Sequence, residues 1–304
     1  MQRREFLQGA GVAALGLGLS AFPAGWVQAA GAPKRHILFF TRSQGFEHSA
    51  IQRKGDKLGF AEHLLTDLGA KHDFEVTCTK DGAVFTPENI AKYDAFFFYT
   101  TGDLTKPSKD GSNPITPEGK AALLEAVKNG KGFLGTHSAT DTFHPDPDDR
   151  YANFGDKVDP YIAMLGGEFI HHDAQQESKM IVTDPKFPGF AGLTDFTMKE
   201  EWYSLKDFRK DLHVLLVQET AGMMGPDYQR APYPATWARR HGKGRVFYTS
   251  MGHREDVWSN PMFQQILLGG ISWAVGNVRA DVTPNIEQVA PKAWDLPAKP
   301  TPKA

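Results

Sequence analysis

"KGFLGTHSATDTFHP", residues 131–145, decides the fold. Gly132 to Thr136 is a short apolar run bounded by Gly130, the pattern of a strand buried on both faces. A strand that ends in Gly-x-His and turns at once is where many α/β enzymes set a nucleophile. Here that position holds His137, neither Cys nor Ser.

Working outward, the same alternation recurs. "RHILFFT" (35–41), "FEVTCT" (74–79) and "AFFFYTT" (95–101) read as three more strands. "SAIQRKGDKLGFAEHLLTDLGAKH" (49–72) has apolar residues at helical spacing, with Ser49 as its N-cap. "TPENIAKYD" (86–94) and "TPEGKAALLEAVKNG" (116–130) both open with a Thr cap followed by Pro. Strands alternating with helices predict right-handed crossovers and a mostly parallel sheet. Beyond residue 175 the pattern changes. "SKMIVTD", "TMKEEWYSL", "DLHVLLVQE", "YPATWARRH" and "GRVFYTSMG" are strand-like and closely spaced, which predicts antiparallel pairs. "NPMFQQILLGGISWAVG" (260–276) is a closing helix capped by Asn260. Residues 281–304 form a Pro-, Lys- and Ala-rich tail, expected to be loose.

Residues 1–30 read as a targeting segment. Arg3 and Arg4 precede Phe6 and Leu7, an apolar Gly-rich stretch follows, and Val27 and Ala29 mark a small-residue cleavage site. This is the layout of a twin-arginine signal peptide, with periplasmic localisation as the expectation and membrane contact only during export. The apolar stretch is shorter than the ~20 residues of a bilayer span. The remaining chain, 31–280, is one large domain. A net charge of −2 gives no basic footprint for nucleic acid. The single cysteine, Cys78, sits in an alternating strand and reads as a structural thiol.

In sheets of this kind ligands collect beyond the carboxyl ends of the parallel strands. His48 follows the first strand; Thr101, Gly102 and Asp103 follow the third. His137, Asp141 and Thr142 follow the fourth, and His253 follows "GRVFYTSMG". Three of eleven histidines thus fall on one predicted edge, which makes His48, His137 and His253 candidate catalytic residues. His137 could instead only bond backbone and close a pocket floor. Asp141 is expected to bond its own loop's amides. Trp237 in "ATWARR" reads as a sugar-stacking platform or, more simply, as core. Glu200 and Glu201, like His171 and His172, are strand neighbours and are expected to face opposite ways.

"GFEHSAI", "YTTGDLT", "GFLGTHSATDT", "GGEFIHHD", "EEWYSL" and "GRVFYTSMGH" resemble, in order, the motifs of the ThuA-like (trehalose-utilisation) family of the class I glutamine amidotransferase-like superfamily. The resemblance spans roughly 35–275. It implies a flavodoxin-like sandwich with a mostly parallel central sheet and added antiparallel strands, and a sugar-metabolic setting. It also selects Glu201 as an acid/base or ligand, Tyr203 beside it, and His171 over His172. In amidotransferase relatives the elbow carries Cys; His137 there excludes glutaminase chemistry.

Two function classes follow. One is a carbohydrate-processing enzyme, a hydrolase or a lyase/isomerase acting on a sugar or keto-sugar. Its polar groups would be His48, His137, His253 and Glu201, with Thr101, Gly102, Asp141, Tyr203 and Trp237 toward substrate. A divalent metal such as zinc is compatible with His48, His137, His253 and His171, although no HExxH-type spacing occurs. One Gly in "TRSQGFEHS" is no dinucleotide fingerprint, which argues against NAD. The other class is a non-catalytic sugar-binding or accessory protein. The partner expected in both is a small carbohydrate; the sequence does not set the oligomeric state.

Overall fold

A computed structural model describes residues 34–144 and 150–299. The signal peptide predicted over residues 1–30 lies outside them. Among the described residues no helix is long and apolar enough to cross a membrane.

One nine-stranded sheet organises the chain. Its parallel half contains β1 (Arg35–Phe40), β2 (Phe74–Thr79), β3 (Ala95–Phe98), β4 (Gly132–Thr136) and β11 (Gly244–Thr249). Its antiparallel wing contains β10 (Tyr233–His241), β9 (His213–Gln218), β6 (Gln176–Val182) and β7 (Phe196–Glu200). The spatial order is β2-β1-β3-β4-β11-β10-β9-β6-β7. A separate antiparallel pair joins β5 (Glu168–His171) to β8 (Ser204–Lys206). This is the mostly parallel α/β sandwich with added antiparallel strands that the sequence implied.

The core follows from the pleat. Ile37 and Phe39 enter one buried cluster, Leu38 and Phe40 the other, so β1 has no solvent face. α1 (Phe60–Lys71) and α6 (Pro261–Ala274) cover the first face through Leu65, Leu68, Ile266 and Leu267. α3 (Pro117–Lys128) and α4 (Pro160–Leu165) cover the second through Leu123, Val127, Tyr161 and Ile162. Short helices α2 (Pro87–Ile90), α5 (Glu255–Ser259) and α7 (Ile286–Val289) complete the set. The caps fall where the sequence placed them at α2, α3 and α6: Thr86, Thr116 and Asn260 each accept an N–H from the first turn.

Two expectations are corrected. The helix predicted from Ser49 begins at Phe60 instead; residues 49–51 are an isolated 3₁₀ turn. Glu62 sets the start, because its Oε2 accepts the Gly59 N–H at 2.8 Å. Ser49 gives its hydroxyl to Glu255 rather than to a cap. The tail is also not loose throughout. Ile286, Ala290 and Ala293 are buried, and Trp294 donates its indole N–H to the Phe208 carbonyl.

Candidate functional site

Three of the five parallel strands, β1, β4 and β11, each end in a loop that supplies one histidine. His137 is the first residue after β4 and sits at φ +44°. A non-glycine residue held in the left-handed region is uncommon and marks a position fixed by its surroundings. The turn that follows is a 3₁₀ stretch, His137–Asp141. Its geometry aims the imidazole over the sheet edge, as the quoted motif predicts. His48 precedes the 3₁₀ turn after β1. His253 follows β11 through Gly252, whose φ of +116° would put any Cβ 2.6 Å from Thr136 Oγ1.

The three rings meet. His137 Nε2 is 3.2 Å from His48 Nε2 and 3.2 Å from His253 Nδ1. Glu201 closes the group: its Oε2 lies 3.0 Å from His253 Nδ1, 3.4 Å from His137 Nε2 and 3.9 Å from His48 Nε2. One atom from each of the four falls within 4.8 Å of all the others. His137 donates from Nδ1 to the Ser250 carbonyl at 3.2 Å, which leaves Nε2 as a lone pair facing the centre. Gln175 Oε1 accepts from Arg254, so its N–H side faces His253 Nε2 at 2.9 Å.

Electrostatics separate these groups. Burial pushes His137 down to about 3, and burial also lowers His48. Burial acts on His253 too, but its bond to Glu201 and the nearby Glu200 and Glu255 leave it raised. Burial opposes ionisation of Glu201; its close contacts with the His137, His253 and His48 rings outweigh it and hold the carboxyl far below the usual range. Glu200 is fully buried. Burial pushes it up to about 7 against three backbone N–H groups, from Gly252, Glu201 and His253. It fixes the backbone under both Glu201 and His253.

Period-two alternation does not extend past two strand ends. β7 stops at Glu200, so Glu201 lies off the strand and both carboxylates serve one site. β5 has a register shift between Phe169 and His171 and ends there. His171 and His172 therefore stack, centroids 5.6 Å apart and 11° between planes. His172, not His171, reaches Glu201: its Nδ1 is 3.5 Å from Oε1. His171 instead bonds Asp227 at 2.6 Å and stands outside the cluster, which corrects its place in the predicted ligand set.

The other predicted residues divide. Tyr203 belongs to the site: its ring packs on His137 at 4.1 Å and its hydroxyl lies 3.5 Å from His48 Nε2. Thr101 and Gly102 tie loops together, Thr101 Oγ1 donating to Phe46 O and Gly102 N to Asp141 O. The Asp141 carboxylate meets His144 Nε2 at 2.9 Å rather than its own amides, and its charge favours protonation of His48. Trp237 is core, the simpler of its two readings, and not a platform. It is fully buried, donates to Leu165 O, and packs on Tyr248 and Phe208. Sequence reasoning missed the exposed aromatic: Phe46, 68% accessible, lies edge-on to His48 at 5.0 Å. It also missed Gln175 and Glu200. The adjacent "EE" at a strand end was the available signal for Glu200.

A shell of about 2.0–2.1 Å bonds in tetrahedral array sets its ligand atoms about 3.3 Å apart. Five cluster separations, 3.0 to 3.9 Å, surround that value. Three imidazole nitrogens and one carboxylate oxygen also suit a borderline divalent ion. The cluster therefore could hold a metal.

No curated protein matches the chain. Among solved structures it is similar to a ThuA-like protein from Bacteroides uniformis, with 20% identity and a TM-score of 0.59 over 82% of this chain and 94% of that one. A ThuA-like protein from Parabacteroides merdae gives 17% identity and a TM-score of 0.55 over 82% and 92%. At such identities the likeness concerns the fold alone. The sequence profile of the family described as trehalose utilisation matches residues 36–274, and over that span the chain belongs to the ThuA family.

Proposed function

We propose that this chain is an exported, metal-assisted enzyme that processes a carbohydrate, by hydrolysis or by elimination or isomerisation of a keto-sugar. The observation that carries the reading is the convergence of His48, His137, His253 and Glu201 within 4.8 Å at the carboxyl edge of the sheet. Burying three imidazoles and a carboxylate together is costly unless they share a charge or a proton. Such a group is the mark of chemistry rather than of passive sugar binding.

These four residues would hold a divalent ion, which when bound polarises a sugar oxygen and acidifies a water. The chain's own groups do the rest. Burial keeps His137 neutral, and the Ser250 carbonyl fixes its tautomer with Nε2 inward. Glu201 supplies the negative charge. Glu200 locks its backbone and that of His253. Tyr203 keeps the His137 ring in place by packing on it. Phe46 offers an exposed ring against which the apolar face of a pyranose would stack, a role that was one of two readings of Trp237.

A second reading rests on Gln175. Its N–H side faces His253 Nε2, which puts the His253 proton on Nδ1 toward Glu201. That arrangement is a metal-free proton relay. One experiment separates the readings. Chelator-stripped protein is assayed on a panel of glucosides, disaccharides and their keto derivatives, with and without Zn²⁺ or Mn²⁺. Metal-dependent turnover supports the metal centre. Turnover indifferent to chelator supports the relay. No turnover, with sugar binding retained, makes the chain an accessory protein.

A further inference from the structure

The site described so far leaves one built group unused. His171 ends β5 with its side chain half exposed, and its Nδ1 lies 2.6 Å from Asp227 Oδ2. Asp227 is fully buried. Its other oxygen accepts the Tyr151 hydroxyl at 2.7 Å. A carboxylate taken wholly out of water and satisfied by one tyrosine and one histidine fixes the imidazole's tautomer: Nδ1–H points at Asp227 and Nε2 points away. The turn carrying Asp227 is itself anchored, its amide reaching Asp173 Oδ2 and its carbonyl accepting from Ser204. His171 is one stacked ring from the cluster, since His172 lies between it and Tyr203, and His172 approaches the free oxygen of Glu201.

We propose that His171 is the general acid of the reaction, donating a proton from Nε2 to the oxygen that leaves the substrate, with Asp227 and Tyr151 as its positioning residues. The inference rests on the enzyme reading above. In the step, the carbon–oxygen bond breaks and its electron pair passes to the leaving oxygen, which takes the Nε2 proton. The carbon is satisfied either by the oxygen of a water or by loss of a neighbouring C–H proton, and in both cases the proton released goes to the cluster. His171 ends neutral, still donating from Nδ1 to Asp227, and regains its proton from solvent.

The electrostatic setting agrees with this division of labour. The bond to Asp227 raises the His171 pKa, with Asp227 and Asp173 charges adding to it and burial and Arg150 opposing. His172 and Tyr151 complete the polar groups facing it.

The test compares leaving groups. His171→Gln should lower kcat roughly 10²-fold on an alkyl glycoside or disaccharide, with KM little changed. On a nitrophenyl glycoside, whose leaving oxygen needs no proton, the same variant should act nearly as the parent does. Imidazole added to His171→Ala should restore part of the alkyl activity. In Asp227→Asn, the loss of kcat/KM at high pH should begin at lower pH. Equal loss on both leaving groups, or no loss on either, overturns the proposal while the enzyme reading stands. A parent that turns over no substrate overturns both.

Discussion

The two halves of the sheet contribute opposite chemistry to one edge. The parallel half sends imidazoles, His48, His137 and His253, from the ends of β1, β4 and β11. The antiparallel wing sends carboxylates, Glu200 and Glu201, from the end of β7. Neither set is stable alone at that burial. Unpaired buried imidazoles would lose their hydration, and an unpaired buried carboxylate would be worse. The site therefore exists only when both halves are folded together, and Glu201 is the clasp between them.

Removing the clasp should have the largest effect. Glu201→Gln keeps size but withdraws the charge shared by three rings. Turnover should fall by roughly 10³-fold or more, and divalent-ion affinity should drop with it. Steady-state kinetics and metal titration check this; unchanged values would separate the wing from the chemistry.

The next contrast sets Trp237 on β10 against Phe46 on the loop after β1. Trp237→Ala empties a closed core site and should destabilise by about 3–5 kcal/mol. Phe46→Ala should leave stability within about 0.5 kcal/mol. It should raise KM for a pyranoside, since only an exposed stacking surface is lost. Denaturant melts and kinetics of the two variants decide. A reversal would exchange the roles assigned to the two aromatics.

Acid should then loosen the clasp. The His137 pKa is about 3 in the fold, against roughly 6.5 unfolded. Its contribution to stability is complete above the unfolded value and is lost as pH falls through that window. Depressed Glu201 acts in the same direction at lower pH. Raised His253 acts oppositely, favouring the folded state at low pH. The net expectation is a loss on the order of a few kcal/mol between pH 6.5 and 3.5. That loss should shrink in His137→Gln, and equilibrium unfolding across pH measures it.

The smallest effect is expected at Cys78. It lies on β2 at the far edge of the parallel half, and burial pushes its thiol up to about 12. Iodoacetamide should leave turnover unchanged; inactivation would revive thiol chemistry.

The parallel half was legible because its signals are local. Apolar runs, Thr-Pro caps and the Gly-Thr-His turn each mark a strand or helix end, and ligand sites follow strand ends. His48, His137 and His253 meet for that reason. The wing was less legible because its site residues lie where regular structure stops. Period-two alternation holds along β7 but not one residue beyond it, so Glu200 and Glu201 were set apart when they act together. A register shift in β5 did the same to His171 and His172. Phe46 carried no signal: exposure of one aromatic depends on which loops surround it. Trp237 had the right residue type for a platform and the wrong burial.

The central claim is that His48, His137, His253 and Glu201 form one centre. Its most direct test is X-ray absorption at the zinc edge on stripped protein given one equivalent of Zn²⁺. The account predicts four light ligands at about 2.0–2.1 Å with multiple scattering from three imidazoles, one of them lost in His137→Gln. A shell of oxygen ligands without imidazole, or one unaltered by that substitution, would contradict it.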